Sequence, residues 1–359
     1  MKKLFISICV AAALCGCKAS VLEKEGWSDD VYASLSEVIR SSGKGDYAIF
    51  DCDNTTVIND VSHVLMVWQI ENLEFRDAPE HLFLDGVDDI SVVLNDRGET
   101  AEELGTVLRD EYRSLKSMLS DGVPLEKIHE CAAYLDFRAR FMALYKSIGR
   151  KCDTGTLLLW MPALMAGFTT SEASEIVDKE TREWIAEGRT WDEEWVSPDS
   201  LYSGTAHKGL VLTSRMRNLY KALERRKIDA YVCSASLEMF VKVLLCDPEI
   251  GLGLPEERIY GIRLLEKDRK IIGEYDPDYP QPYREGKVLC INKFISPHYG
   301  GRGPVLVAGD SSGDVPMLTG WSDTRASLIM DRGLSGDIGV LSARATLEGN
   351  SGRYLSQPK

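Results

Sequence analysis

Three short apolar runs, each ending in reactive side chains and each leading into a helical pattern, constrain this chain most. Tyr47-Ala48-Ile49-Phe50 stops at Asp51-Cys52-Asp53-Asn54-Thr55. Ala230-Tyr231-Val232-Cys233 stops at Ser234-Ala235-Ser236, and Val305-Leu306-Val307-Ala308 stops at Gly309-Asp310-Ser311-Ser312-Gly313-Asp314. Short apolar runs of this kind, each followed by a loop and then a helix-like pattern, read as strands. Separated by helical segments, they predict an α/β fold with a parallel sheet and helical crossovers. In open sheets of that kind a ligand sits beyond the carboxyl ends of the strands, where these polar residues fall.

The residue types then narrow the chemistry. Strand side chains alternate, so Asp51 and Asp53 would face the same way if the first strand continued. Two carboxylates so close repel each other unless a cation or a shared task holds them, which suits a hard divalent metal with oxygen ligands. The bland reading of each residue stands beside the functional one. Asp-Asn-Thr is a common turn, Ser234 could cap the following helix, and Lys287 could be a solvated helix residue, with Lys293 as a competitor six positions on. Asp314 could be purely structural.

Taken in order, Asp51-x-Asp53-x-Thr55, Ser234, Lys287 and Gly309-Asp310-x-x-x-Asp314 resemble the four motifs of the haloacid dehalogenase superfamily. The resemblance is to its phosphoserine phosphatase-like branch, and within it to secreted bacterial phosphorylcholine phosphatases. Those share the Asp-x-Asp-Asn-Thr form and a large helical insert. The resemblance covers roughly residues 45–60 and 209–340. It implies a Rossmann-like three-layer core with an inserted helical cap, and a Mg²⁺-dependent phosphomonoesterase. Asp51 would be the nucleophile and Asp53 the acid and then the base. Ser234, Lys287 and Thr55 would bind phosphate, and Asp51, Asp53 (through its backbone carbonyl), Asp310 and Asp314 would serve the metal. In the resemblance an aspartate at position 53 goes with ester hydrolysis, and dehalogenating relatives lack it. Asn54 stands where many members carry glycine, and asparagine tolerates the left-handed conformation such a position requires.

The expected organisation is a signal segment at 1–17, a core at 18–60 and 209–359, and the cap at 61–208. Met1-Lys2-Lys3, an apolar Leu4–Leu14 too short to span a bilayer, and Leu14-Cys15-Gly16-Cys17 resemble a bacterial lipoprotein signal. That implies a lipid on Cys17 as the contact with membrane, and a cell-envelope location facing the periplasm or the exterior. Val64-Leu65, Val67-Trp68 and Ala132, Leu135, Phe137, Phe141, Leu144 recur at helical spacing in the insert. Thr170-Ser171-Glu172 reads as a helix start. A hairpin is expected over Arg258–Gly273 and a last strand over Ala326–Met330.

The insert holds five of the seven tryptophans, and its aromatic and acidic content would suit a quaternary ammonium. Trp68 and Trp160 are the candidates for reading the substrate, against the simpler reading of core packing. His63, just after the catalytic loop, reads as a packing or hydrogen-bonding residue. Of the six cysteines beyond the signal, Cys131 and Cys152 form the one pair worth testing for a disulfide. With 27% charged residues and a net charge of −14, the chain is a poor match for a nucleic-acid partner. A small phosphomonoester is the expected partner. The competing readings are a phosphotransferase of the same fold and a catalytically idle, ligand-binding surface lipoprotein.

Overall fold

The computed structural model describes residues 21–76, 83–87 and 89–359. Cys17 and the rest of the signal-like segment lie outside the described residues. Helix α1 (Asp29–Ser41) precedes strand β1 (Tyr47–Phe50), and a tight π-type turn over Cys52–Thr56 leads towards α2 (Val61–Asn72). The insertion continues with α3 (Ala101–Ser120), α4 (Leu125–His129), α5 (Ala132–Lys151), α6 (Thr154–Ala163) and α7 (Thr170–Ala186). It closes with strands β2 (Trp191–Val196) and β3 (Ser203–Lys208). Then follow α8 (Ser214–Arg225), β4 (Asp229–Leu237), α9 (Glu238–Cys246), β5 (Ile259–Ile262), β6 (Leu264–Lys267) and β7 (Lys270–Tyr275). The chain ends with α10 (Glu285–Phe294), β8 (Leu306–Gly309), α11 (Val315–Thr319), β9 (Ala326–Asp331), α12 (Asp337–Leu347) and β10 (Tyr354–Pro358).

Six strands form one sheet in the order β10-β9-β8-β1-β4-β5, parallel throughout. The three apolar runs are its centre, and their alternation builds the layers. Ala48, Phe50, Val232, Leu306 and Ala308 join the core shared with α1, α8 and α9, while Tyr47, Ile49, Cys233 and Val307 pack with Ile291 of α10, Met317 of α11 and Ile338 of α12. Burial on both faces accounts for the unbroken hydrophobicity of the runs. β1 pairs with β8 on one side and β4 on the other, so the reactive ends of all three adjoin one crevice.

Three expectations need correction. The hairpin is β6–β7 alone; β5 instead joins the main sheet beside β4. That hairpin packs towards the insertion, with Ile271 exchanging backbone bonds with Gly167 and Phe168 at 2.9 and 2.8 Å. β9 is not the last strand, because β10 pairs alongside it at the sheet edge. The insertion is mainly helical but also carries the antiparallel pair β2–β3. Cys131 and Cys152 stand at opposite ends of the twenty-residue helix α5, roughly 30 Å apart at 1.5 Å per residue, so no disulfide joins them. Of the six described cysteines, Cys52, Cys233 and Cys290 are buried and Cys131, Cys152 and Cys246 half-buried. No helix among the described residues is long and apolar enough to cross a membrane.

Candidate active site

The strand β1 ends at Phe50, and Asp51 follows in extended backbone with its N–H bonded to Ala308 O of β8 at 2.9 Å. The turn beyond it needs one left-handed residue, and Asn54 takes that place with φ 54° and ψ 5°. Thr56 locks the turn from inside, its hydroxyl donating to Asp51 O at 2.7 Å. Asp51 and Asp53 thereby face one cleft but hold separate partners.

Asp51 Oδ1 accepts from Lys287 Nζ at 2.7 Å, and the same ammonium donates to Asp314 Oδ1 at 2.6 Å. Lys287 sits at the start of α10 and is almost completely buried. Burial alone would lower its pKa, but Asp314 and Asp51 outweigh this and hold it protonated, well above the usual lysine range. Asp314 spends its other oxygen, Oδ2, on Asp310 N and Ser311 N at 3.0 and 3.1 Å, and on the Ser311 hydroxyl. It is therefore the clamp of the β8–α11 loop and the orienter of Lys287. Gly309 makes that clamp possible: a Cβ there would lie 2.4 Å from Asp314 Cβ.

Asp53 points elsewhere. Its Oδ1 accepts from Val61 N at 2.8 Å, and its Oδ2 from the Ser236 and Ser234 hydroxyls at 2.7 and 3.3 Å. Burial, and next the charge of Asp60, push its pKa up to about 7. A carboxyl held in place and poised near neutrality suits proton transfer.

Asp310, just beyond the end of β8, accepts at Oδ2 from Arg332 Nη1 at 2.6 Å. One oxygen each of Asp51, Asp310 and Asp314 lies within 4.8 Å of the others, and all three residues are buried. Burial, with the mutual repulsion of these carboxylates, pushes Asp51 and Asp310 up to about 8. Five aspartates line this cleft, Asp51, Asp53, Asp60, Asp310 and Asp314, against the three cations Arg284, Lys287 and Arg332. No donor among the described residues reaches Asp51 Oδ2 or Asp310 Oδ1. An all-oxygen, over-charged donor set of this kind fits a hard divalent cation such as Mg²⁺. The side chain of Asp53 stands outside this triad.

The other expected residues fall as follows. Ser234 is fully buried; it serves Asp53, and the cleft wall there is Ala235. The β4–β5 register shifts between Cys233 and Leu237, and Ser234 and Ser236 both turn towards Asp53. Thr55 is buried and does not line the cleft, and its hydroxyl has no partner among the described residues. Lys293 lies away from the site, bonded to Asp278 O. Trp68 and Trp160 do not line the cleft: both are buried, with Nε1 bonded to Glu183 and to Phe83 O respectively. Trp160 completes an aromatic core with Phe141 and Tyr145. His63 is a packing residue, its Nε2 accepting from His207 N at 3.1 Å.

Sequence reasoning passed over Ser236, Arg332, Asp60, Tyr283 and Arg284. Ser236 carried a signal, since it follows Ser234 by the strand period of two. Arg332 directly follows β9, at the same edge as the other reactive residues. Asp60 caps α2, accepting from Ser62 N and His63 N at 2.9 Å.

The parallel sheet, the turn after β1 and the Asp51–Lys287–Asp314–Asp310 constellation define a phosphatase of the haloacid dehalogenase type. A curated relative agrees: the chain is 25% identical over 334 residues to the phosphorylcholine phosphatase of Pseudomonas aeruginosa, covering 86% of this chain and 80% of that protein. Among solved structures, a conserved protein of unknown function from Anaerococcus prevotii superposes with a TM-score of 0.83 at 28% identity, covering 94% of this chain and 97% of that one. No family model matches the chain.

Proposed function

We propose that the chain is a Mg²⁺-dependent phosphomonoesterase working through an aspartyl-phosphate on Asp51. The observation that carries this reading is the division of labour between the two aspartates. Asp51 is held by one oxygen only, leaving the other for attack, whereas both oxygens of Asp53 are fixed beside it by Val61 N and Ser236. In the first half-reaction Asp51 Oδ2 attacks phosphorus, the P–O bond to the alcohol breaks, and Asp53 gives its proton to the departing oxygen. In the second, Asp53 takes a proton from water as the water oxygen attacks phosphorus. The bond to Asp51 breaks and phosphate leaves. Lys287 offsets the phosphoryl charge as a compact ammonium. Asp51 and Asp310, with the Asp53 carbonyl that the family resemblance implies, would hold Mg²⁺, which when bound neutralises charge on the phosphoryl oxygens.

The substrate class is a small phosphomonoester, phosphocholine- or phosphoserine-like, met outside the cytoplasm by a protein anchored through lipid on Cys17. Residues 61–208 act as the cap, and α6 of that segment brings Thr154 and Leu158 to the cleft. The test is phosphate release from a panel of phosphomonoesters, with Mg²⁺ and with chelator. Turnover is expected to require the metal, to vanish in Asp51→Asn, and to fall by roughly 10²–10⁴-fold in Asp53→Asn. Metal-independent hydrolysis, or full activity in Asp51→Asn, overturns the mechanism.

A further inference from the structure

We infer that Arg284 is the specificity residue of this cleft, and that it selects phosphomonoesters whose organic part carries its own anionic group over those carrying a quaternary ammonium. This rests on the phosphomonoesterase reading and deepens it.

The cleft, of about 500 Å³, is lined by the catalytic aspartates and Lys287, and also by Leu158, Tyr283, Arg284, Arg332 and Leu334. Its cations are not equivalent. Lys287 is spent on Asp51 and Asp314, and Arg332 on Asp310. Arg284 has no buried carboxylate of its own: it lies beside the Tyr283 hydroxyl, and its acid neighbours are Glu285, exposed and 3.8 Å away, and Asp337. A guanidinium offers a planar fork suited to a carboxylate or a phosphate, and here no carboxylate closes on it at hydrogen-bond distance.

The backbone supports the same assignment. Arg284 has φ 49° and ψ −120°, a strained conformation that favours glycine. It is fixed by the turn that starts α10, where Lys287 N bonds to Arg284 O and Gly286 N to Tyr283 O. Gly286 packs so tightly there that a Cβ would meet Gln281 O at 1.9 Å. One rigid turn thus positions both Lys287, for the phosphoryl group, and Arg284 three residues earlier, for what is attached to it.

The cleft is poorly made for a quaternary ammonium. Recognition of such a cation uses several aromatic faces, and Tyr283 is the single aromatic residue in this lining. The one carboxylate lining the cleft outside the catalytic group is Asp60, whose Oδ1 caps α2.

Two measurements test the inference, the first of them independently of turnover. First, calorimetry compares 3-phosphonopropionate with the phosphonate analogue of phosphocholine, neither of which can be hydrolysed. The anionic phosphonate is expected to bind more tightly, and Arg284→Gln to weaken it about tenfold or more with little effect on the other. Second, kcat and KM are compared for phosphoserine, phosphocholine and p-nitrophenyl phosphate. Arg284→Gln is expected to raise KM for phosphoserine, leave p-nitrophenyl phosphate within about threefold, and be partly rescued by Arg284→Lys. Tighter binding of the cationic phosphonate, or an equal loss for every ligand in Arg284→Gln, overturns the inference. If no ester is hydrolysed while the phosphonate preference and its loss in Arg284→Gln persist, the hydrolase reading falls and the assignment of Arg284 stands.

Discussion

At the residue scale the site is a balance of buried charges, and its members trade stability against chemistry in opposite directions. Asp51 is raised by burial and by Asp314 and Asp53, so its charged form is a cost to the metal-free fold. Lys287 is the counter-charge that makes the cluster tolerable. Removing a nucleophile and removing its counter-ion should therefore differ in sign. With chelator present, Asp51→Asn is expected to keep or raise the thermal midpoint while abolishing turnover. Lys287→Met, which strands two buried carboxylates, is expected to lower stability by about 3–5 kcal/mol and abolish turnover too. Thermal unfolding of both variants against the parent checks the pair; a midpoint raised by Lys287→Met would refute this charge balance. Asp51, Asp53, Lys287, Asp310 and Asp314 were legible in the sequence because each lies close to a strand end or a helix start. Which way a buried aromatic faces was not. Trp68 and Trp160 sit in an insertion rich in aromatic and acidic residues, but composition does not say that their indoles turn into its packing. Arg284 and Arg332 were hidden for the opposite reason, as ordinary loop arginines until the fold brings them to one cleft.

At the element scale, legibility followed burial. The central strands β1, β4 and β8 announce themselves as unbroken apolar runs because both of their faces are covered. The pair β2–β3 is built from Trp191-Asp192-Glu193-Glu194-Trp195 and Gly204-Thr205-Ala206-His207-Lys208, with one face largely open, and reads as a polar loop. β10 holds Ser356, Gln357 and Pro358, residues a sheet tolerates at its edge but which carry no strand signal. Helix starts were clearer, since capping is local chemistry. Thr169 and Glu172 form a reciprocal capping box at the start of α7. Thr169→Ala removes half of it and is expected to cost about 1 kcal/mol. In a protein of this size that is a fall of about 1–2 °C in thermal midpoint, with turnover unchanged since Thr169 does not line the cleft. An unchanged midpoint would mean that α7 is held by its packing alone.

For the whole molecule, the junction between the two ends of the insertion, α2 at its start and β3 at its end, passes through His63, and it makes stability depend on pH. His63 lies in the first turn of α2, accepts from His207 N of β3 through Nε2, and packs against the rings of Tyr145 and His207. With Nε2 accepting, the proton sits on Nδ1 and the ring is neutral. Burial above all, and then His207, pulls its pKa down to about 3. The unfolded value is near 6.5. Above that pH the ring is neutral in both states and contributes no pH dependence. Below it the unfolded chain binds a proton that the native chain refuses, so stability falls with pH between about 6.5 and 3. The slope approaches about 1.4 kcal/mol per pH unit, which is about 2 kcal/mol between pH 6.5 and 5. The carboxylate cluster titrates as well, so the isolating comparison is with His63→Gln, which leaves that cluster in place. Urea unfolding at pH 7.5 and at pH 5 should show a smaller acid loss in His63→Gln than in the parent, although the variant is the less stable of the two at pH 7.5. Parallel losses in the two proteins would mean that His63 takes up its proton in the folded state, and that the junction opens to water as the pH falls.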